Sequence, residues 1–355
     1  MKNTLAKTQK TRNGREKAKG KFLAFTFNFL LVFGCNDSLQ RTYDHLEAGP
    51  IDNLVPEATR IIQEGLTDDD PLIRANTIEV VAATKQTKLM PKVQRLLQDD
   101  FVPVRFAAAL AVGDFEYSFA KSSVKQLLED KDENVRIAAD YAMSKLGSGS
   151  GFELVRKATA SSDQTVRANA AFLLGKSGDK SSLKWLWWTL QHKDSDYKAK
   201  FNAAEAIARL GDERIDEKIL AMLISVYADD RAVGIKAMGA LGTERAKSFL
   251  ITKLDDDVLE VRLAAAEQLG MLGETTGERE VLEVFTKNLT AGLGKEELER
   301  VNTLTALAIG QVGTANLTKF LPQLLKNESK FVRIAAAKAV FQCTMKSRAA
   351  EKFSI

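Results

Sequence analysis

The sequence predicts an all-α fold of stacked helix pairs, and three observations predict it. The stretch at residues 260–273, EVRLAAAEQLGMLG, recurs in altered copies along most of the chain. Aligned on its Arg, the copies follow one another at steps of 31, 31, 31, 33, 31, 31, 40 and 31 residues. Each copy carries two apolar patterns of helical spacing. Because a fixed period of roughly 20 to 50 residues indicates a stacked array, we predict an elongated α-solenoid of about nine two-helix repeats in a right-handed superhelix.

The third copy shows how one helix pair is built. Apolar residues recur at helical spacing over 122–129 and again over 133–146, so both segments are predicted to be helices. Asp130 and Asp132 between them suit a turn and a helix N-cap, and Gly147 suits a helix end. Alanine fills the later turns of the second helix, and such small side chains let neighbouring helices approach closely.

A ladder of charges follows the same register. The aligned position is Arg in seven of the nine copies, and an acid stands six residues upstream of it in six of the nine. With the acid in the turn and the Arg in the first turn of the second helix, each carboxylate can meet helix amides and its own or a neighbouring guanidinium. A row of Arg that binds anionic ligands is the alternative, but the acids keep pace with the cations. We therefore predict a structural ladder of Asp68, Arg74, Asp99, Arg105, Asp130, Arg136, Arg167, Asp194, Lys200, Arg231, Asp256, Arg262 and Arg333.

These repeats resemble those of HEAT-repeat proteins, of the short bacterial type also seen in phycobilin-lyase-like repeats. The residues that carry the resemblance are Val261-Arg262, Ala265-Ala266 and Leu-Gly-Met-Leu-Gly at 269–273. The resemblance covers about residues 51–346 and implies an α-solenoid that binds partner proteins. The first copy departs from it with Lys85 where a Gly usually ends the unit, and the eighth departs with Asn302 in place of the Arg.

The amino-terminal residues predict the cellular location of the protein. Residues 1–21 are polar and basic, and residues 22–33, FLAFTFNFLLVF, are mainly apolar. This run is shorter than the about 20 residues of a membrane span, and its order is typical of a secretory signal. The following VFGC resembles the lipobox of bacterial lipoproteins, which implies lipidation of Cys35. We predict export and lipid anchoring to a bacterial cell-envelope membrane. A cytosolic protein with a capping helix and a free Cys35 thiol is the alternative.

The predicted organisation has four parts. They are a lipoprotein-type signal peptide at 1–34, a tether at 35–49, the repeat solenoid at 50–346 and a C-terminal tail at 347–355. Within the solenoid, the 40-residue step adds about nine residues near 286–295, TKNLTAGLGK. Gly292 and Gly294 predict a loop there, which we expect to act as a hinge.

The composition gives little support to catalysis or to nucleic-acid binding. Two Cys, Cys35 and Cys343, and two His are too few and too scattered for a metal site or a catalytic triad. The first 34 residues carry more positive charge than the whole chain, so the remainder is mildly acidic and unsuited to nucleic acid. The Gly-rich stretch at 146–151 follows a helix and lacks the GK[ST] of a phosphate loop. We expect no metal, no cofactor and no enzymatic activity.

A groove is predicted on the surface lined by the second helices. Five residues after the aligned Arg, the row is apolar in three consecutive repeats, at Leu110, Tyr141 and Phe172. Such a groove suits an extended peptide or a partner helix with acidic groups. The alternative is that the three side chains only pack between adjacent helices. Amide and basic residues in the same sector form the predicted rim, which comprises Asn169, Asn202, Lys145, Lys176 and Arg209.

A tryptophan cluster, WLWW at 185–188, offers a second candidate surface. Trp187 shares the apolar stripe of its helix and is predicted to be in the core, whereas Trp185 and Trp188 share an adjoining face. They either cover a wider gap between repeats or anchor a partner, since exposed Trp is typical of binding hot spots.

The sequence therefore predicts a non-catalytic scaffold for protein–protein interaction, anchored at an envelope membrane. Two alternatives remain open. One is an accessory or lyase-like factor that handles a cofactor or a modified protein. The other is a structural envelope protein without a specific ligand.

Overall fold

The structure is a computed structural model that describes residues 49–353, and these residues belong to one compact unit, Thr42–Ile355. The described part is helical and contains no strand. In chain order, the helices are α1 (Val55–Gly65), α2 (Pro71–Ala83), α3 (Met90–Arg95), α4 (Val102–Asp114), α5 (Lys121–Gln126), α6 (Glu133–Lys145), α7 (Glu153–Ala158), α8 (Gln164–Ser177), α9 (Leu183–Gln191), α10 (Tyr197–Arg209), α11 (Asp216–Leu223), α12 (Ala228–Leu241), α13 (Glu244–Thr252), α14 (Leu259–Met271), α15 (Glu278–Thr286), α16 (Lys295–Val312), α17 (Ala315–Thr318), α18 (Leu321–Leu325) and α19 (Lys330–Phe353).

The helices alternate between two layers, as the predicted α-solenoid requires. The longer ones, which we call the inner helices, pack side by side and comprise α2, α4, α6, α8, α10, α12, α14, α16 and α19. The shorter helices between them form the outer layer. Buried Ala, Leu, Ile and Val side chains join all the repeats into one hydrophobic core.

The turn chemistry predicted from the sequence is present. Asp132 caps α6 by accepting a 2.8 Å hydrogen bond from the Asn134 amide, and Asp163 caps α8 in the same way. Such caps satisfy amides that have no partner within the helix. Gly147 and Gly178 follow their helices with positive φ, a conformation that stops a helix at little cost for glycine.

Glycine also permits close contact between inner helices. A Cβ added at Gly175 would lie 2.6 Å from the Ala206 Cβ, and one at Gly270 would lie 2.5 Å from the Gln311 carbonyl carbon. Both distances are shorter than van der Waals contact, so the helices approach more closely than any other residue would allow.

The last helix closes the array. Besides its neighbour α16, α19 packs against α1 and α2. Two ion pairs join these ends: Lys330 Nζ lies 2.8 Å from Asp68 Oδ2, and Arg348 Nη2 lies 3.2 Å from Asp52 Oδ1. The inner helices therefore form a ring, and the elongated array expected from the sequence is wrong. Successive repeats are each rotated slightly, and here the rotations add up until the two ends meet and cover one another.

The insertion near residues 286–295 is only partly a loop. Residues 287–292 form turns, and α16 then begins at Lys295 and runs for 18 residues, against 13 or 14 in most inner helices. Asn302 is consequently the eighth residue of its helix, whereas Arg136 is the fourth residue of α6. Part of the insertion thus lengthens an inner helix by one turn at its amino end.

The structure describes the carboxyl end of the chain almost completely, whereas the description of the amino end begins at residue 49. The helix α19 continues to Phe353, so the tail predicted from residue 347 is helical in its described part. The predicted signal peptide, Cys35 and the tether up to residue 48 lie outside the described residues. Within the described residues, no helix is both long and apolar enough to cross a membrane.

Candidate binding cavity

The ladder connects each repeat to the next one. Arg105 donates from Nε and Nη2 to both carboxylate oxygens of Asp130 in the following repeat, at 2.9 and 3.0 Å. Its Nη1 donates to the main-chain oxygen of Asp99, in the turn of its own repeat, at 2.8 Å. Arg74 makes the same set of bonds, to Asp99 and to the oxygen of Asp68. Arg105 thus links the turn of its own repeat to the acid of the following repeat. Asp99, the acid in the turn of that same repeat, binds Arg74 of the preceding repeat.

Other ladder positions depart from this pattern. Arg136, Arg262 and Arg333 donate to turn carbonyls of their own repeats, and Arg231 binds Asp256 together with Asp257. Arg167 donates to Ser195 Oγ at 3.1 Å, so the neighbouring Asp194 does not hold it. Asp194 is exposed and Lys200 is half-buried.

Closure of the ring continues the ladder across the junction. Burial would raise the pKa of Asp68, but hydrogen bonds from Lys330 and from the Asp70 amide, together with the charge of Arg333, lower it below its usual value. The charge of the aligned Arg of the last repeat thus acts on the acid of the first, while the direct contact to Asp68 is made by Lys330.

A cavity of about 470 Å³ lies inside the ring, where the carboxyl ends of four inner helices meet α19. The lining is apolar along the helices and charged near their ends. Its members are Glu79, Ala82, Ala83, Lys85, Ala107, Leu110, Ala111, Asp114, Tyr141, Lys145, Phe172, Lys176 and Lys338.

The predicted apolar centre contributes to this cavity mainly as packing. Leu110 is buried, and Tyr141 is 1% exposed, with its ring against Gly113 and 6.0 Å from that of Phe152. The Tyr141 hydroxyl donates to Asp114 Oδ1 at 2.8 Å. Burial and the charge of Asp114 raise the pKa of Tyr141, so it remains a neutral donor. Phe172 is only half-buried and leaves part of its ring open to the cavity.

The predicted rim divides into two groups. Asn169 donates to Asn134 at 2.9 Å and Asn202 donates to the Ala168 oxygen at 3.0 Å, so both amides join neighbouring inner helices. Arg209 pairs with Glu205 one turn earlier in its own helix and does not line the cavity.

The two rim lysines, by contrast, reach the cavity. Lys176 Nζ lies 2.7 Å from Asp114 Oδ2, whereas Lys145 Nζ is 4.0 Å from Glu116. Of the predicted groove residues, Lys145, Lys176 and Phe172 are therefore the ones that a partner could contact in the cavity. Leu110 and Tyr141 also line it but are buried.

Four charged lining residues, Glu79, Lys85, Asp114 and Lys338, were not among the site residues predicted from the sequence. Glu79 and Lys338 occupy the same row as Tyr141 but lie in the first and last repeats, so only ring closure brings them together. Lys85 was noted only as an exception to the Gly that ends each unit. It has φ of 53°, the left-handed conformation that glycine takes in six of the other copies. A Lys at this glycine position was the sequence feature that could have identified Lys85 as a candidate site residue.

A half-buried carboxylate, Glu267, lies farther along the same row. Burial raises the pKa of Glu267 above its usual value, and the charges of Lys338 and Lys236 reduce that rise. The row that lines the cavity thus continues round the ring with alternating charge.

The tryptophans lie on the outer helix α9, away from the cavity. Trp187 Nε1 donates to Asp212 at 2.9 Å, and Trp185 is covered by Lys184 and Arg156, at 4.0 and 4.9 Å from its ring. Trp188 stays 40% exposed, with its ring 4.2 Å from that of His192. The structure therefore separates the two candidate surfaces. No group of three or more potential metal ligands occurs among the described residues.

The helix-pair repeats and their Arg ladder agree with a known repeat family. The family model for HEAT repeats matches residues 59–144 and 151–232. These two segments of the chain are similar to HEAT repeats. The matched repeats include every inner helix that contributes its carboxyl end to the cavity, from α2 to α8.

Solved structures of HEAT-like solenoids are similar only at low identity. The complex of CpcE and CpcF of phycocyanin lyase from Nostoc sp. PCC7120 is 18% identical, with 71% of this chain and 94% of that chain covered and a TM-score of 0.41. Human deoxyhypusine hydroxylase in complex with glycerol is 16% identical, with 84% and 100% covered and a TM-score of 0.35. These similarities carry no argument about activity. No curated protein sequence matches the chain.

Proposed function

We propose that this protein is a non-catalytic scaffold that binds a partner protein through its central cavity, while a lipid on Cys35 holds it at a bacterial envelope membrane. The observation that supports binding is the cavity itself, with cationic side chains around the half-buried ring of Phe172. Binding sites are commonly concave, and this cavity offers a partner both charged and apolar side chains, with more polar than apolar exposed surface. The HEAT-repeat scaffold is compatible with many partners.

Ring closure changes how the partner would enter. An open groove can accept an extended peptide from the side along its length. In the closed ring a segment enters from the open part of the cavity, and a volume of about 470 Å³ holds a short segment and not a partner helix. The proposed partner therefore inserts an end or a tight loop, and the rest of it lies outside the ring.

Site-specific crosslinking of the full-length protein in its own membranes tests the binding proposal. A photo-crosslinking phenylalanine analogue at Phe172 is expected to capture one distinct protein. The matched control carries the analogue at Phe119, which is 79% exposed and does not line the cavity, and it should not capture that protein. Equal capture from both positions, or none from Phe172, would reject the cavity as the partner site.

Fractionation tests the anchoring proposal separately. The Cys35→Ser variant should move from the membrane fraction to the soluble fraction, since removal of the acylated thiol removes the lipid. Mass spectrometry of the wild-type protein should then find acyl chains on Cys35 at the amino end of the mature chain. An intact peptide from Met1 to an unmodified Cys35 would reject it.

A further inference from the structure

We propose that the central cavity binds the free C-terminal carboxylate of a partner polypeptide, with the partner's last, apolar side chain against Phe172. This inference rests on the proposed scaffold function and specifies the chemistry that the cavity recognises. It depends on three observations: the charge of the lining, the closure of the ring and two strained residues at the cavity.

The charge of the lining favours an anion. Four lysines, Lys85, Lys145, Lys176 and Lys338, and two acids, Glu79 and Asp114, line the cavity. A third acid, Glu116, lies just outside the lining, 4.0 Å from Lys145. Asp114 is already engaged, because its two oxygens bind Tyr141 and Lys176. The negative ends of the inner helices offset part of this excess, but that effect is confined to the last helical turn. Lys338 stands in the middle of α19, so the carboxyl end of its own helix does not offset its charge, whereas Glu267 does interact with it.

Closure of the ring favours a chain end over a continuous chain. The cavity is lined by α2, α4, α6, α8 and α19 and is open to solvent on part of its boundary, so a chain end can reach its lining residues from that opening. A C-terminal residue presents a carboxylate and an apolar side chain within one residue, and it needs only this opening. An internal Asp or Glu of a partner would have to bring the main chain on both sides of it into the cavity.

Two strained residues stand at this cavity. The position that ends each unit has positive φ in eight repeats and is glycine in six of them, at 147, 178, 211, 242, 273 and 313. The other two are Lys85 and Glu116, with φ of 53° and 50°. Lys85 lines the cavity, and Glu116 lies 4.0 Å from the cavity residue Lys145. A non-glycine residue in this conformation is strained, and such strain clusters at functional sites.

A structural role for Lys85 predicts a different outcome. Its Nζ lies 3.5 Å from the oxygen of Asp114, at the carboxyl end of α4, and a lysine at that place can stabilise the helix end. If this were its only role, its loss would destabilise the fold. If the residue is kept for binding, replacement by glycine should relieve strain and stabilise the fold while binding weakens.

The experiment uses the full-length protein in detergent and two matched peptide pools. One pool contains acetylated tetrapeptides that end in Leu or Phe with a free carboxylate, and the other contains the same sequences with a C-terminal amide. Binding is measured as the shift in melting temperature with peptide concentration. A water-soluble carbodiimide then joins bound carboxylates to lysine amines, and mass spectrometry locates the new amide bonds.

The carboxylate pool is expected to raise the melting temperature in a concentration-dependent way. The apparent affinity for the amide pool should be at least about tenfold weaker, because the amide cannot make the charge-assisted contact. The crosslinks should concentrate on Lys85, Lys145, Lys176 and Lys338. Equal shifts with both pools, no shift with either, or crosslinks spread over exposed lysines such as Lys157 would overturn the proposal. Capture of a partner at Phe172 in that case would leave the scaffold function standing.

A pair of glycine variants completes the test. Lys85→Gly and Glu116→Gly should each raise the melting temperature by about 1–3 °C, because both relieve the same strain. Lys85→Gly should weaken carboxylate binding about tenfold, since it removes one charged donor. Glu116→Gly, which frees Lys145, should leave binding unchanged or tighter. A lower melting temperature for Lys85→Gly, or equal effects of the two variants on binding, would contradict the proposal.

Discussion

Lys330 and Asp68 stand 262 residues apart in the sequence, yet Lys330 Nζ and Asp68 Oδ2 lie 2.8 Å apart. This contact joins the turn of the first repeat to the start of the last helix. Asp68 is the first acid of the ladder, but its direct partner is an exposed Lys and not a buried aligned Arg such as the ones that bind Asp99 and Asp130. The junction therefore uses the acid of the ladder with a different cation.

A double-mutant cycle on this pair should give a small coupling. Asp68→Ala and Lys330→Ala together should show a coupling energy of about 0.5–1 kcal/mol at neutral pH, because the Lys330 side chain is 52% exposed and solvent screens the pair. Urea unfolding measures it. A coupling above 2 kcal/mol, roughly the range of buried pairs, would contradict the described exposure.

The same coupling should depend on pH. The pKa of Asp68 is lowered in the folded state, so its contribution is complete above the unfolded value of 3.8 and is lost as the pH falls through the lower folded value. Repeating the cycle at decreasing pH should show the coupling fade on the acid side. Asp68→Asn, which cannot ionise, should remove that part of the pH dependence. A coupling that persisted in strong acid would rule out an ion pair.

Removal of a buried ladder Arg should be far more costly. Arg105→Ala leaves Asp130 and the oxygens of Asp99 and Asp100 without their donor, and we expect a loss of about 3–5 kcal/mol in the free energy of unfolding. Arg60→Ala serves as the control, because Arg60 makes equally short contacts to Glu57 and Glu64 on an exposed surface. Chemical denaturation should show no measurable loss for the control. Similar losses for the two variants would refute a structural role specific to the ladder.

Close contact between inner helices predicts a strong effect of one methyl group. A Cβ at Gly270 meets main-chain atoms of Gln311 and Val312 at 2.5 and 2.6 Å, and main chain cannot move aside as a side chain can. Gly270→Ala should lower the free energy of unfolding by about 1–3 kcal/mol by forcing α14 and α16 apart. Gly294→Ala meets nothing within 4 Å and should cost only a few tenths as a changed N-cap. Thermal unfolding of the two variants distinguishes the cases.

The thiol in the closing helix should be protected from alkylation. Cys343 is 5% exposed, and burial raises its pKa to about 11, although the charge of Lys346 opposes the rise. In a Cys35→Ser background at pH 8, reaction with iodoacetamide should be at least about 100-fold slower than for a free thiol, which ionises near pH 8.5. Unfolding in urea should remove this protection. Fast labelling of the native protein would show that α19 does not stay seated in the ring.

Much of the fold could be predicted from the sequence because each repeat contains the residues that start and end its own helices. Asp132 marks a helix start and Gly147 a helix stop, and both act within a few residues. The partners of the ladder were harder to predict. An Arg can reach its own turn or the next one, and only the stacking of helices decides that Arg105 binds Asp130.

The cavity could not be predicted because closure belongs to no single repeat. It depends on the sum of small rotations between repeats, and the register of Arg positions contains no information about that sum. Lys338 and Glu79 therefore looked unrelated to Tyr141 and Phe172. The groove residues Leu110 and Tyr141 were correctly placed on inner helices, but burial between those helices leaves them little surface for a partner.

Closure also limits how this architecture can vary by duplication. An open array can gain or lose one 31-residue unit at either end, since only one neighbour loses its contact. In the ring, the loss of one unit would leave a gap about one helix pair wide between α19 and α1, while an added unit would have no space. The number of units is therefore fixed by geometry, so change is confined to substitutions within units and to insertions such as the one that lengthens α16.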